Sequence, residues 1–407
     1  MTSATRTIAV AVLVGLTAPE FGGQASPAGQ PPTLTYNIID LGTLSGTASC
    51  RASAINDFGK VVGWCSLSSS GVDPLRGFMW EDGVMTSLGG VPGYPNAWPV
   101  AINNLRQIVG FVDNVQSTHA FLWMSGMMSD LNDLLPQNSG WNLAYANDIN
   151  DAGQIVGWGY HDGTPRAFLY DGVQVVDLGT LGGNTSYAMA INESGTVVGA
   201  ADTEDGERHA FIWDNGVMTR LGSFVGNFSV AMDINDRAVV VGAFGTQGEK
   251  GGSRFPFRWE SGVITELDPA DLSSASAQAI NNLSQAVGSG DRFEGFYFSV
   301  AVLWQDSERH ELYDLIPPDL QWLKGLGSPQ DINEAGQIVG SSWSAPTDGN
   351  EHAYLLTPVG QAIPTISEWG TLTLGCLLLG LGCVIIVRVR GSRRGPAVAL
   401  TRTTIAS

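Results

Sequence analysis

Lysine is nearly absent from this chain of 407 residues. Its three lysines are Lys60, Lys250 and Lys324, and Asp and Glu outnumber Lys and Arg by 39 to 20. Proteins that bind nucleic acid neutralise phosphates with clustered Lys and Arg. We therefore expect no nucleic-acid partner, and the net charge of −19 favours a soluble surface in an extracytoplasmic setting.

The common catalytic motifs are missing as well. The sequence contains no Gly-x-Ser-x-Gly elbow, no His-Glu-x-x-His and no phosphate-binding glycine loop. Only five histidines are present, whereas 52 glycines point to many tight turns and few long helices. The expected class is all-β.

One ten-residue motif occurs seven times in the chain. Its copies begin 42 to 52 residues apart, which is the period of a β-propeller blade. The copies are AINDFGKVVG (54–63), AINNLRQIVG (101–110), DINDAGQIVG (148–157), AINESGTVVG (190–199), DINDRAVVVG (233–242), AINNLSQAVG (279–288) and DINEAGQIVG (331–340).

Each repeat predicts four short strands. The Ala-Ile-Asn and Val-Val-Gly segments form a hairpin, with the Asn side chain accepting from its own downstream backbone. A third strand follows, as in His119–Trp123, and Asp82-Gly83, Asp171-Gly172 or Asn215-Gly216 then turns the chain into a fourth. The last repeat lacks a fourth strand, whereas Tyr36–Leu41 precedes the first repeat.

Joining these two ends closes a seven-bladed β-propeller of four-stranded repeats over residues 36–358. The alternative, an open solenoid, needs capping segments that we do not find.

Cys50 and Cys65 flank the first hairpin. If Ile55 pairs with Lys60 across the turn, Cys50 lies opposite Cys65, and a disulfide is expected in an oxidising compartment.

The two ends of the chain predict export. Residues 1–25, with Arg6 before an apolar run, are typical of a signal peptide, followed by a linker over 26–35. An N-terminal membrane anchor is the alternative. Residues 371–389 predict one C-terminal transmembrane helix, and residues 390–407 form a basic cytoplasmic tail. The cytoplasmic basic cluster comprises Arg388, Arg390, Arg393 and Arg394.

The linker 359–370 carries a short motif directly before that helix. It resembles the IPTLxxWG sorting tail (IPTL-CTERM) of Gram-negative bacteria, with Ile366 where that family usually shows Leu. The resemblance implies recognition by an exosortase-type membrane transpeptidase; the alternative is a plain single-pass anchor. The motif residues are Ile363, Pro364, Thr365, Ser367, Glu368, Trp369 and Gly370.

The phrases AIN, VVG and HAF-W together resemble the HAF-repeat family of bacterial extracellular proteins, over residues 36–358. The resemblance implies a location outside the cell. That family has no established catalytic residues, so none is carried over.

Candidate chemistry is sparse. Asp148, Asp233 and Asp331 replace Ala in three first strands and are expected to be solvated or turn-capping, with Ca²⁺ binding or acid–base work as the alternative. Asp202, Glu204 and Asp205 form a calcium-loop candidate without EF-hand spacing, and no other cofactor is expected.

The aromatic side chains divide into two sets by position in the repeat. The periodic set should fill the core between blades: Trp80, Trp123, Trp213, Trp259, Trp304 and Tyr170. The set outside these positions should be more exposed: Trp98, Trp141, Trp322 and Trp343.

Because the acidic and His positions are mostly periodic, they favour a non-enzymatic binding or structural role. The two ends of the chain add the expectation that the protein is exported and associated with the cell envelope. Its expected ligand is a carbohydrate or a protein. The alternative is a secreted hydrolase or lyase that acts on extracellular glycans through loops on one propeller face.

Overall fold

The computed structural model describes residues 34–67, 74–136, 138–246, 253–294, 297–306, 308–320, 325–343 and 350–359. This part of the chain is all-β, as predicted, apart from three short 3-10 helices at Leu131–Leu134, Leu312–Leu315 and Pro318–Leu320. Within these ranges no helix has the length and hydrophobicity needed to span a membrane. The predicted signal peptide, sorting motif, transmembrane helix and arginine cluster lie outside them.

The strands occur in sets of four, one set for each repeat. First strands carry the Ala-Ile or Asp-Ile dipeptide: β2 (Ser49–Ile55), β6 (Asn96–Ile102), β10 (Trp141–Ile149), β14 (Gly182–Ile191), β18 (Phe228–Ile234), β22 (Ser274–Ile280) and β26 (Pro329–Ile332). Second strands carry the repeated glycine: β3 (Val61–Ser66), β7 (Ile108–Asp113), β11 (Ile155–His161), β15 (Val197–Thr203), β19 (Val240–Gly245), β23 (Ala286–Phe293) and β27 (Ile338–Trp343).

Third and fourth strands complete the sets. Third strands are β4 (Arg76–Glu81), β8 (Thr118–Met124), β12 (Thr164–Tyr170), β16 (Arg208–Asp214), β20 (Arg254–Glu260), β24 (Tyr297–Gln305) and β28 (Glu351–Pro358). Fourth strands are β5 (Val84–Ser87), β9 (Met127–Asp130), β13 (Val175–Asp177), β17 (Val217–Arg220), β21 (Val263–Glu266) and β25 (Glu308–Glu311). The strand β1 (Tyr36–Asp40) is left over at the N-terminal end.

Five of the sheets in the described part have four strands, and β14 to β21 form one sheet of eight. That larger sheet consists of two antiparallel sets of four that meet at a single parallel bridge between Arg208 and Phe228. In the last sheet the order is β1-β28-β27-β26, so the N-terminal strand lies on the outer edge, with Tyr36 opposite Pro358. The predicted pairing of the two chain ends is confirmed.

Each first strand contains a β-bulge that explains the repeated glycine of the second strand. In the first repeat the register shifts between Ala52 and Ala54, and the Arg51 carbonyl turns toward Gly63. A Cβ on Gly63 would lie 2.0 Å from that oxygen, far inside van der Waals contact. Only glycine fits there, because a bulge pushes backbone of one strand toward the next.

The pairing predicted across the first hairpin is off by one residue at the turn, and the bulge compensates for this further along the strand. Ile55 pairs with Val61 and not with Lys60, because the turn is closed one residue later by the Asn56 N–H to Lys60 carbonyl bond. The unpaired residue at the bulge then restores the register, so Cys50 does lie opposite Cys65, and their sulfurs are bonded at 2.01 Å.

A peptide map of the non-reduced exported protein should therefore contain one fragment that joins Cys50 to Cys65. Reduction should lower the free energy of unfolding by about 3 kcal/mol, since the bond closes a loop of 15 residues. Recovery of both residues as free thiols from exported material would contradict the pairing.

The short turns follow the predicted chemistry in two cases and depart from it in one. Asp82 with Gly83, and Asn215 with Gly216, have positive φ angles, as a two-residue hairpin turn requires. At Asp171 the prediction is wrong. Its carboxylate accepts the N–H groups of Val173 and Gln174, which holds a longer loop, so β13 begins only at Val175.

The hydrophobic core lies between neighbouring sheets. One cluster joins Val62 and Met79 of the first repeat to Ile108 and Phe121 of the second. Another joins Val61 of the first repeat to residues of the last. Full burial of a Phe or Ile side chain stabilises a fold by about 1.5–3 kcal/mol, so the contacts between repeats hold the sheets together.

Candidate functional site

A closed ring of hydrogen bonds joins the seven repeated asparagines. Each Oδ1 accepts N–H groups of its own hairpin, as predicted; Asn56 accepts those of Phe58 and Lys60 at 3.1 and 3.0 Å. Each Nδ2 also donates to the backbone carbonyl of the next asparagine, which sequence reasoning did not foresee. The bonds run from Asn56 to Asn103, Asn150, Asn192, Asn235, Asn281, Asn333 and back to Asn56, at 2.9–3.2 Å.

The residue after each asparagine forms a second ring. Its side chain accepts the N–H of the equivalent residue in the repeat before it, at 2.7–3.2 Å throughout. Five members are acids and two are amides: Asp57, Asn104, Asp151, Glu193, Asp236, Asn282 and Glu334. The two rings line one axial cavity of about 200 Å³.

Three carboxylates lie on the same axis and bridge neighbouring repeats. Asp148, for example, accepts the N–H of its own Ile149 and that of Ile191 in the next repeat, both at 2.8 Å. Asp233 does the same with Ile234 and Ile280, and Asp331 with Ile332 and Ile55, at 2.7–2.8 Å. Alternation of Asp and Ala along the ring therefore lets three acids satisfy six of the seven equivalent N–H groups.

Burial decides the protonation of these bridges. It raises the pKa of Asp148 to about 7 and that of Asp331 to about 6, although two backbone hydrogen bonds lower each value. Burial raises the pKa of Asp233 well above its ordinary value, and the charges of Asp148 and Asp331 add to this shift. The expectation of solvated or turn-capping aspartates is wrong, because each carboxylate binds two repeats together.

Two of the three carboxylates in the calcium-loop candidate, those of Asp202 and Asp205, accept hydrogen bonds from neighbouring side chains. Asp202 accepts from Thr185 and from Arg208 Nε, the latter at 2.9 Å, and Asp205 accepts from the Thr203 hydroxyl. Against the opposing effect of burial, these bonds and the Arg208 charge hold the pKa of Asp202 below its usual value. Among the residues with described placement, no three His, Cys, Asp or Glu side chains gather as metal ligands. A calcium role for Asp202, Glu204 and Asp205 stays a prediction.

The histidines of the third strands lie in separate sheets, and each has its own acidic partner. His119 Nδ1 contacts Asp130 Oδ2 at 2.5 Å, and His352 Nδ1 contacts Asp40 Oδ2 at 2.9 Å. These pairs join a third strand to the fourth strand beside it.

A continuous array of aromatic side chains crosses the first four repeats, away from the asparagine hairpins. We call it the aromatic ridge. Its neighbouring ring centroids are 4.5–5.5 Å apart, close enough for stacking or edge contacts. Arg51 covers the ring at one end and Arg208 the ring at the other. The rings are, in order, Trp64, Trp98, Phe111, Tyr145, Trp158 and Tyr187.

The ridge comes from two columns of the repeat, and this signal was available in the sequence. The residue after the second-strand glycine is Trp64, Phe111, Trp158, Ala200, Ala243, Ser289 and Ser341 in turn. In the first six repeats its first-strand partner is, in turn, Arg51, Trp98, Tyr145, Tyr187, Val230 and Ser276. Aromatic side chains occupy these columns in the first four repeats, apart from Arg51 and Ala200, and smaller side chains occupy them in the later repeats.

Two cavities adjoin the ridge. Arg51 and Trp64 line one of about 890 Å³, in which Arg51 forms an ion pair with the buried Glu351, and Ser341 donates to the same carboxylate at 3.0 Å. Tyr145 and Trp158 line the other, of about 390 Å³. Trp98 and Phe111 lie between them in the array.

The periodic aromatic set lies in the core as predicted, but Trp98 and Trp141 are half-buried to the same degree as Trp123, Trp213 and Trp259, so the predicted difference in exposure is not seen for these two. The periodic set packs in the clusters between sheets, with Trp80 at 9% and Trp304 at 4% exposure. Trp98 belongs to the ridge and is half-buried, and Trp141 stacks on His161 at 4.5 Å. Trp322 and the side chain of Trp343 lie outside the described set.

Comparison with known proteins gives no family. No family model matches the chain, and no curated protein does. Solved structures resemble it weakly. TolB from Acinetobacter baumannii is 16% identical over 62% of this chain and 62% of TolB, less than two thirds of that protein, with a TM-score of 0.44.

Two further structures cover more of their own length. YCF48, solved bound to D1 peptide, is 12% identical over 82% of this chain and 99% of its own, with a TM-score of 0.46. A gluconolactonase from Xanthomonas campestris is 12% identical over 80% and 91%, with a TM-score of 0.39. At these values the likenesses carry no conclusion about ligand or reaction.

Proposed function

We propose that the chain is an exported seven-bladed β-propeller of the HAF-repeat type that acts at the cell envelope as a non-enzymatic binding module. Support for seven blades comes from the closed ring of seven asparagines and from the two sets of four strands that share the larger sheet. The aromatic ridge is the observation that carries the binding role. Its six rings are half-buried, and three of them, Trp64, Tyr145 and Trp158, line cavities that a ligand can enter.

The enzymatic alternative has less support. A glycan hydrolase or lyase needs an acid and a base that face one cavity. The carboxylates lining the larger ridge cavity are Glu294 and Glu351, and Glu351 is held by Arg51 and Ser341. The smaller ridge cavity has no Asp, Glu or His among its lining residues in the described part of the chain.

Placement at the envelope rests on the C-terminal tail. Substituting Pro364 and Trp369 together should leave the propeller folded but trap it as a membrane-held precursor, because a transpeptidase would no longer recognise the motif. Deleting residues 372–387 should release the protein in soluble form. Immunoblots of membrane and soluble fractions with antibodies to the propeller and to the C-terminal arginines measure both outcomes.

A matched control is Thr373→Ala, which changes one residue of the predicted transmembrane segment outside the motif. If wild-type protein in mature envelope fractions keeps its C-terminal arginines, the tail is a permanent anchor and the sorting proposal fails.

A further inference from the structure

The smaller of the two ridge cavities combines aromatic rings with uncharged polar groups. Three rings line it: Tyr145, Trp158 and Tyr160, the last 41% exposed. Trp158 stacks on Tyr145 with centroids 4.5 Å apart and meets Tyr160 edge-on at 6.0 Å. The remaining side chains are short or polar: Asn114, Val115, Gln116, Ser117, Thr118, Asn142 and Ala144.

This lining is unusual for a chain with a net charge of −19. No Asp, Glu, Lys, Arg or His appears among the described residues around the cavity. An aromatic surface with amide and hydroxyl groups at its rim suits a ligand that has apolar C–H faces and many uncharged hydroxyl groups. An ionic ligand would find no counter-charge there.

Several of these polar groups are available to a ligand. Asn114 is committed, since its Oδ1 accepts the N–H groups of Gln116 and Ser117 and its Nδ2 donates to the Gly93 carbonyl. The side chains of Gln116, Thr118 and Asn142 make no hydrogen bond to any residue whose placement is described. They can therefore meet ligand hydroxyls without breaking internal bonds.

We propose that this cavity binds a neutral oligosaccharide, with sugar rings against Trp158 and Tyr160 and hydroxyl groups bonded to Asn142, Gln116 and Thr118. The proposal rests on the binding role proposed above and names the ligand class. The ridge continues through Phe111 and Trp98 to the larger cavity at Trp64. A longer chain therefore gains contacts along the ridge, and a hexasaccharide should bind more tightly than a disaccharide of the same linkage.

The test is calorimetric titration of the full chain in a detergent without a sugar headgroup. The probes are cellohexaose, xylohexaose, mannohexaose, chitohexaose, maltohexaose and laminarihexaose, with hexagalacturonate as the charged comparison. At least one neutral hexasaccharide should bind. Trp158→Ala should weaken that affinity by about tenfold or more, as expected for a central aromatic contact.

Tyr160→Ala serves as the second variant because its exposed side chain can be removed without opening the core. Phe58→Ala is the matched control, since Phe58 is 57% exposed on an asparagine hairpin away from the ridge. Thermal unfolding of all variants identifies any that fail to fold. Three outcomes overturn the proposal: no neutral probe binds at millimolar concentration, only the charged probe binds, or Trp158→Ala and Tyr160→Ala bind like Phe58→Ala. Localisation plays no part in this titration, so its failure is distinct from failure of envelope placement.

Discussion

Gly199→Ala is expected to destabilise the fold by more than about 3 kcal/mol, in the range of the most damaging single substitutions. A Cβ at Gly199 would lie 2.0 Å from the Tyr187 carbonyl oxygen and 3.0 Å from Ala188 Cα. Both obstacles are backbone atoms of the bulged first strand, so no side-chain rotation relieves the clash. Chemical denaturation followed by far-ultraviolet circular dichroism measures the loss.

Gly90→Ala is the matched control for this substitution. The nearest atom to a Cβ there is the Tyr94 carbonyl oxygen at 4.0 Å, and the residue is exposed. Its free energy of unfolding should stay within about 0.5 kcal/mol of wild type. If Gly199→Ala is as stable as Gly90→Ala, the bulge is not the reason for the repeated glycine.

The free energy of unfolding should fall as the pH rises from about 4 to about 8, because of the axial aspartates. Their folded-state pKa values lie above the ordinary value of 3.8, at about 7 for Asp148 and about 6 for Asp331. The folded protein therefore binds more protons than the unfolded chain. The stability from these groups is fully present below pH 3.8 and is lost as the pH rises through 6 and 7. Guanidinium unfolding at a series of pH values measures it.

Substitution of a single axial aspartate separates its contribution to the pH dependence of stability from that of the other acidic residues. Asp148→Ala leaves two backbone N–H groups without acceptors and should cost about 1–3 kcal/mol at pH 5. At pH 8 the cost should be smaller, because wild-type Asp148 is then ionised in a site that opposes its charge. Asp133→Ala, an exposed residue of a 3-10 helix, should leave the pH dependence unchanged. An equal cost of Asp148→Ala at both pH values would contradict a protonated bridge.

Local turn chemistry and strand counting predicted most of the fold. The asparagine hairpins, the four strands of each repeat and the additional N-terminal strand at Tyr36–Asp40 follow from patterns within about ten residues. The Cys50 and Cys65 alignment was reached through two compensating errors, since the turn is one residue longer than predicted and the bulge removes one residue from the pairing. The bulges were not predicted, because each lies in a first strand whereas the glycine that makes room for it lies in the second strand.

The hydrogen bonds between repeats could not be predicted from local sequence patterns, because they join residues that are far apart in the chain. The bond from Asn333 Nδ2 to the Asn56 carbonyl, and the bond from the Ile55 N–H to the Asp331 carboxylate, join residues 277 and 276 positions apart. The aromatic ridge was missed for a different reason. Trp64, Phe111 and Trp158 stand at one column of the repeat, and only a comparison of the seven copies position by position separates that column from the periodic core aromatics.

Closure of the ring by the N-terminal strand is the claim on which the rest depends, and thiol cross-linking tests it most directly. Asn37 lies opposite Thr357 in the register between β1 and β28, and paired strand residues lie about 5 Å apart. With Cys introduced at both positions, a short thiol-to-thiol cross-linker should give an intramolecular product that joins peptides 37 and 357 in high yield. The control pair, Asn37→Cys with Glu266→Cys on β21, should give none. A 37–357 yield no higher than the control, or products only between molecules, would contradict the closed ring.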